Sequence, residues 1–142
     1  MVRNKGEANL MPVLPAKGVL NMTTQEKLEK IVKILDSKKA ENIQVIGITN
    51  LTIIADYFII ATGTSTTQVK SLADEVDFQL GQLGVEPRGI EGVRAANWIV
   101  LDYGDIVVHV FYRDTREEYQ LERLWADCEQ VDISGLLIDE NA

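Results

Sequence analysis

The chain has one cysteine, Cys128, and one histidine, His109, in 142 residues. A lone cysteine excludes an intrachain disulfide framework, and a reducing, cytoplasmic setting is the natural expectation. No apolar run approaches the roughly 20 residues that cross a bilayer, so no membrane span is expected. Basic residues are outnumbered, 14 Lys and Arg against 22 Asp and Glu, for a net charge of −8. Nucleic-acid binding needs lysines and arginines clustered on one face, and no such cluster is visible in the sequence. An acidic domain suits a basic protein partner instead, although acidity also serves solubility alone.

Prolines number three, and Pro12 and Pro15 both fall before residue 21. There they combine with Lys17 to break any signal-like apolar stretch. Residues 1–21 carry a net +2 from Arg3, Lys5, Lys17 and Glu7, which leaves −10 for residues 22–142. Residues 1–21 are expected to be a disordered leader, artificially appended or authentic, with Met22 a candidate natural start.

From Met22 onward the chain is strongly patterned. Thr23 and Glu26 fit a capping box, and Leu28, Ile31, Val32 and Leu35 recur at helical spacing. Ile43 to Ile48 is short, apolar and β-branched, which predicts a buried strand. Asn50 to Thr52 predicts a turn. Tyr57 to Thr62 is apolar at nearly every position, the mark of a strand covered by helices on both faces. Ser65 with Gln68 forms a second capping box, and Val69, Leu72, Ala73, Val76, Leu80 and Leu83 form the stripe of a second helix ended by Gly84. Pro87 to Val93 is extended or looping. Trp98 to Leu101 and Ile106 to Tyr112 make a hairpin around Asp102-Tyr103-Gly104-Asp105. Asp114 with Glu117 predicts a third capping pair, opening a helix whose apolar side is Tyr119, Leu121, Leu124 and Trp125. The sum is a single α/β domain over residues 22–130, a mixed β-sheet flanked by helices, with residues 131–142 a flexible C-terminal tail.

Groups able to carry chemistry are sparse. Thr62-Gly63-Thr64-Ser65 sits where a strand enters a helix and can attract an anion, yet it lacks the glycine–lysine pattern of a phosphate loop. A capped helix start is the better explanation, since any such start looks like this. Asp74 and Asp77 can be read as a metal pair, but two acids on one helix are usually a solvated face. Asp102 and Asp105 are favoured turn residues. His109, among valines, fits a satisfied core or half-buried strand position better than a general base. Cys128 has no histidine near it in sequence, and Ser65 lacks a nucleophile elbow. No catalytic residue, metal site or cofactor is expected.

Six of the nine aromatic residues fall in the last third, five of them with a polar handle: Trp98, Tyr103, Tyr112, Tyr119 and Trp125. Set among Asp102, Asp105, Arg113, Asp114, Arg116 and Arg123, they have the composition of an interface, or of a core. They also belong to a longer resemblance. The string Ala55-Asp56-Tyr57-Phe58-Ile59-Ile60-Ala61-Thr62-Gly63-Thr64-Ser65, then Gln68 and Ala73-Asp74-Glu75-Val76, is similar to the ribosomal silencing factor, or Iojap, family. So are Glu91-Gly92, the run from Trp98 to Phe111, and Arg116, Tyr119, Leu121-Glu122 and Leu124-Trp125, in order from Met22 to Trp125. Gly47 departs from the pattern, since family members often carry aspartate there.

The resemblance implies a nucleotidyltransferase-like fold without that activity. It implies binding to the large ribosomal subunit through ribosomal protein fourteen (uL14), a steric block to subunit joining, lowered translation when nutrients are scarce, and a homodimer in the free state. The expected docking patch is Trp98, Tyr112, Arg116, Tyr119, Leu121 and Trp125, with Asp102, Asp105 and Asp114 supplying charge. No direct nucleic-acid binding is expected beyond proximity to ribosomal RNA. The rivals are a nucleotide-using enzyme built on residues 63–68 with Asp74 and Asp77, and an assembly factor for large-subunit precursors.

Overall fold

The computed structural model describes residues 22–49, 55–124 and 128–138, without the side chains of Glu122 and Leu124. The expected leader, the expected turn at Asn50 to Thr52, and Trp125 lie outside the described residues.

Helix α1 (Thr24–Ser37) starts at the predicted box: the Thr23 side chain accepts from the Glu26 amide, and Glu26 accepts from the Thr23 amide. Strand β1 (Glu41–Gly47) begins earlier than its apolar run, because Glu41 pairs across from Thr62 at the exposed end of the sheet. Strand β2 (Tyr57–Gly63) leads into α2 (Thr66–Gln82). The second capping box is rearranged. Ser65 accepts from the Gln68 amide, but the Gln68 carboxamide oxygen accepts from the backbone and hydroxyl of Thr64. Leu83 caps α2, and Gly84 follows at φ 82°, the left-handed position that its lack of a side chain permits.

The extended stretch contains β3 (Gly89–Glu91), and the hairpin is β4 (Trp98–Asp102) with β5 (Ile106–Tyr112). Helix α3 (Arg113–Tyr119) continues from β5 with no linker. Its N-cap is Tyr112, with no side-chain capping bond, so the predicted Asp114–Glu117 capping pair does not form. Gln120 turns left-handed at φ 49° and separates α3 from α4 (Leu121–Leu124), where one continuous helix was expected. Strand β6 (Glu129–Gln130) returns to the edge of β1.

The six strands form one mixed sheet in the order β3-β4-β5-β2-β1-β6, with β2 and β5 parallel and the other pairs antiparallel. Strand alternation sorts the side chains. Val45, Ile59, Ala61, Val108, Val110, Ile99 and Leu101 face α1 and α2 and build the main core. Ile46, Ile60, Val107 and Phe111 face the other way into a second, smaller cluster, joined by Phe58, Trp98, Val100 and Leu121. Strand β5 is buried from Ile106 through Phe111, as a central strand between two apolar layers must be. Beyond β6, Ile133 is 8% exposed within the main core, and Val131 and Leu136 pack against it. Part of the segment predicted as a tail therefore rests on the domain.

One glycine holds the hairpin layer in place. Gly92 has φ 86°, and a Cβ there would lie 2.1 Å from the Trp98 carbonyl oxygen. The substitution Gly92→Ala is expected to destabilise the fold by about 2–3 kcal/mol, from left-handed strain plus the displaced β4 backbone. Urea unfolding measures it, and a loss under about 0.5 kcal/mol contradicts the close approach.

Candidate functional site: a half-open aromatic sheet face

Strand β4 alternates between half-buried and buried residues. Ile99 and Leu101 are sealed under the main-core helices, whereas Trp98, Val100 and Asp102 look onto the second face and are only half-buried. Across the ladder, Trp98 pairs with Phe111, Val100 with His109 and Asp102 with Val107. The second face thus presents an apolar strip bounded by Phe58 on β2 and by α3 and α4 at the Trp98 end.

The strip is organised by its rings. Trp98 stacks on Phe111 at 4.8 Å and 28°, and Tyr119 tilts over it at 4.9 Å and 51°. Tyr119 is 56% exposed. Phe58 meets His109 edge-on at 4.7 Å. The Trp98 indole Nε1–H donates to His109 Nδ1 at 3.1 Å, so the neutral imidazole carries its proton on Nε2. That Nε2 is buried with no hydrogen-bond partner among the described residues. Burial lowers the His109 pKa from 6.5 to about 4. His109 is therefore neutral near pH 7 and acts as a fixed acceptor that orients the Trp98 ring.

This has a pH consequence. Because the folded pKa is depressed, the stability linked to His109 is fully present above about pH 6.5 and is lost as pH falls toward 4. The loss reaches about 3 kcal/mol at the lower end, at 1.36 kcal/mol per pKa unit. Urea midpoints measured from pH 7 to pH 4 are expected to fall, and less steeply in His109→Gln. Parallel profiles for the two proteins contradict the assignment.

The other residues predicted for the patch are dispersed. Leu121 joins Trp98 and Tyr119 on the second face. Tyr112 packs on the main-core side, its amide donating to the Asn97 carbonyl. Asp114 is exposed at the start of α3. Asp102 lies at the far end of β4, where it accepts from the Gly104 amide and faces Arg88 at 3.3 Å. Asp105 is a strut: its carboxylate accepts from the Thr24 hydroxyl at 2.6 Å and pairs with Lys27 at 2.7 Å, tying the hairpin to α1. Burial alone raises the Asp105 pKa, but the bonds from Lys27 and Thr24 and the Lys27 charge outweigh it and hold the group below its ordinary value.

Arg116 is 4% exposed. It donates to the Asn42 carbonyl, the Thr62 hydroxyl and the Gln44 carboxamide, pinning α3 onto β1 and β2. The sequence missed Phe58, Val100 and His109 as members of the face. The alternation of β4 and β5 was the signal that places them together.

The enzymatic features do not converge. Gln68 occupies the Thr64 amide in the strand-to-helix turn, using a donor that a phosphate would need. Asp74 pairs with Lys70 at 3.0 Å. Asp77 has a pKa raised by burial and by repulsion from Glu86 and Asp74. Among the described residues no group of three or more His, Cys, Asp or Glu is arranged to hold a metal, and no helix is long and apolar enough to cross a membrane.

Residues 21–142 match the family described as "Ribosomal silencing factor during starvation". The ribosomal silencing factor of Halalkalibacterium halodurans is 39% identical over 116 residues, 82% of this chain and 99% of that protein. The ribosomal silencing factor of Bacillus subtilis is 40% identical over 98 residues, 69% of this chain and 83% of that protein. A crystal structure of a Chromobacterium violaceum protein matches the fold with a TM-score of 0.72 and 36% identity, covering 74% of this chain and 88% of that one. A family match over most of the chain, near-full-length relatives and a shared fold lead to one assignment: this chain belongs to the ribosomal silencing factor family.

Proposed function

We propose that the protein binds the large ribosomal subunit through ribosomal protein fourteen (uL14), covers part of the subunit interface and so keeps the small subunit from joining. Translation then falls under nutrient limitation. The protein acts in the cytoplasm, without cofactor or catalysis, and is a homodimer when free. The functional unit is residues 22–130, with Val131, Ile133 and Leu136 packed against it.

One observation carries this reading: the half-open aromatic strip of Trp98, Tyr119, Phe58 and Val100 on the second sheet face. Rigid aromatic rings with polar tips are the side chains that dominate protein interfaces, since they bury much area at little cost in conformational entropy. Asp114, exposed at the start of α3, offers a negative charge to a basic partner.

The test is co-sedimentation with purified large subunits, then a subunit-joining assay. The protein is expected to pellet with large subunits and to lower the yield of joined particles. Charge reversal, Asp114→Lys, is expected to weaken binding by about threefold, the size of a rim charge. Large subunits that leave the protein in the supernatant refute the reading. Preference for precursor over mature large subunits favours the assembly-factor alternative.

A further inference from the structure

The chain has six arginines, and three of them, Arg113, Arg116 and Arg123, line a single cavity of about 400 Å³ between α3, α4 and the end of β1. Its floor is built from two almost fully buried polar side chains, Arg116 and Thr62, each 4% exposed. Arg116 is locked there by bonds to the Asn42 carbonyl, Thr62 and Gln44, so its charge is fixed in place. The wall arginines are held loosely. Arg113 meets Glu41 at 3.0 Å with about half of each side chain in solvent, and Arg123 donates only to the Gln120 carboxamide among its described contacts. Among the described lining residues, Glu41 and Glu117 leave one net positive charge, in a domain that is otherwise strongly acidic.

The geometry points to a phosphate-ester site, occupied by a backbone phosphate of ribosomal RNA when the protein is docked. A buried, immobile guanidinium supplies attraction without a reorganisation cost. Two exposed guanidiniums can exchange weak surface partners for charge-assisted bonds to phosphate oxygens. Position argues for RNA as the source. Gln120, on the cavity wall, lies between Tyr119 and Leu121 of the aromatic strip, so a partner seated on the strip brings its surroundings to the cavity mouth. This inference rests on the large-subunit reading and refines the expectation that RNA is merely nearby.

Two arms test it and separate its failure from that of the docking reading. Inorganic phosphate, titrated into the free protein and followed by NMR, is expected to shift the Arg113, Gln120 and Arg123 signals in a saturable way. Signals that stay still, or move only in linear proportion to ionic strength, overturn the site whatever the ribosome does. On large subunits, the double variant Arg113→Gln/Arg123→Gln is expected to bind about tenfold more weakly at low salt. Its salt dependence, log affinity against log salt, should be shallower by about one unit, the mark of one lost phosphate contact. Its affinity for isolated ribosomal protein fourteen should be unchanged. An unchanged slope, or an equal loss on the isolated protein, overturns the RNA assignment. Failure of the native protein to bind large subunits removes both the inference and the function it rests on.

Discussion

Trp98→Ala is expected to lower affinity for large subunits by about a hundredfold, close to 3 kcal/mol, a hot-spot loss. The residue sits where several structural choices meet. Its ring stacks on Phe111, carries Tyr119 and is aimed by the indole bond to His109. Truncation removes the largest apolar surface on the open face and releases Tyr119 from its platform. The same ring also packs on the second core, so some loss of fold stability is expected as well. Tyr119→Ala separates the two effects. Tyr119 is 56% exposed, so its truncation is expected to leave the unfolding midpoint unchanged while weakening binding about tenfold. Native affinity in both variants places the docking surface elsewhere.

Arg116→Ala is expected to destabilise the fold by about 4 kcal/mol, a drop of about 2 M in the urea midpoint at a typical slope. Three oxygens from β1 and β2 lose their donor at once: the Asn42 carbonyl, the Thr62 hydroxyl and the Gln44 carboxamide. Two of these groups are buried or half-buried side chains that water reaches poorly once α3 sits over them. Asn42 is itself left-handed, at φ 54°, next to the register irregularity in β1. The guanidinium therefore also holds a strained backbone residue in position. Arg116→Lys keeps the charge but not the planar fork and is expected to recover less than half of the loss. A cost below about 1 kcal/mol for Arg116→Ala contradicts the role of this side chain as the pin between α3 and the sheet.

Much of the fold was legible because it arises from local rules. The Thr23–Glu26 box, the stripe of α2, the glycine after it and the polar hairpin turn each encode their structure within a few residues. The family was legible from the ordered string between Ala55 and Trp125, and the relatives bear it out. What failed depended on distant contacts. Asp114 and Glu117 have the spacing of a capping pair, yet α3 grows directly out of β5 and needs none. Gln120 gives no glycine-like signal for the left-handed turn that splits α3 from α4.

The candidate site was harder still. Trp98, Tyr119 and Leu121 do lie together on the second face, but Arg116 and Asp105 look like interface charges in sequence and spend their bonds inside the fold. No local pattern tells a paired buried charge from a free one, because the partners of Arg116 are 54 to 74 positions away. His109 was expected to be a core or half-buried side chain, and it is buried; its role as the acceptor that orients Trp98 appears only when β4 and β5 are laid side by side.

The central claim is that the aromatic face of the sheet, rather than a reactive group, carries the function. The most direct measurement is a subunit-joining assay with purified small and large subunits, titrated with the native protein and with Tyr119→Ala at equal folded concentration. The native protein is expected to suppress joined particles in a dose-dependent way, with Tyr119→Ala needing about tenfold more for the same effect. Equal suppression by both, or joining that proceeds unhindered at saturating native protein, contradicts the account.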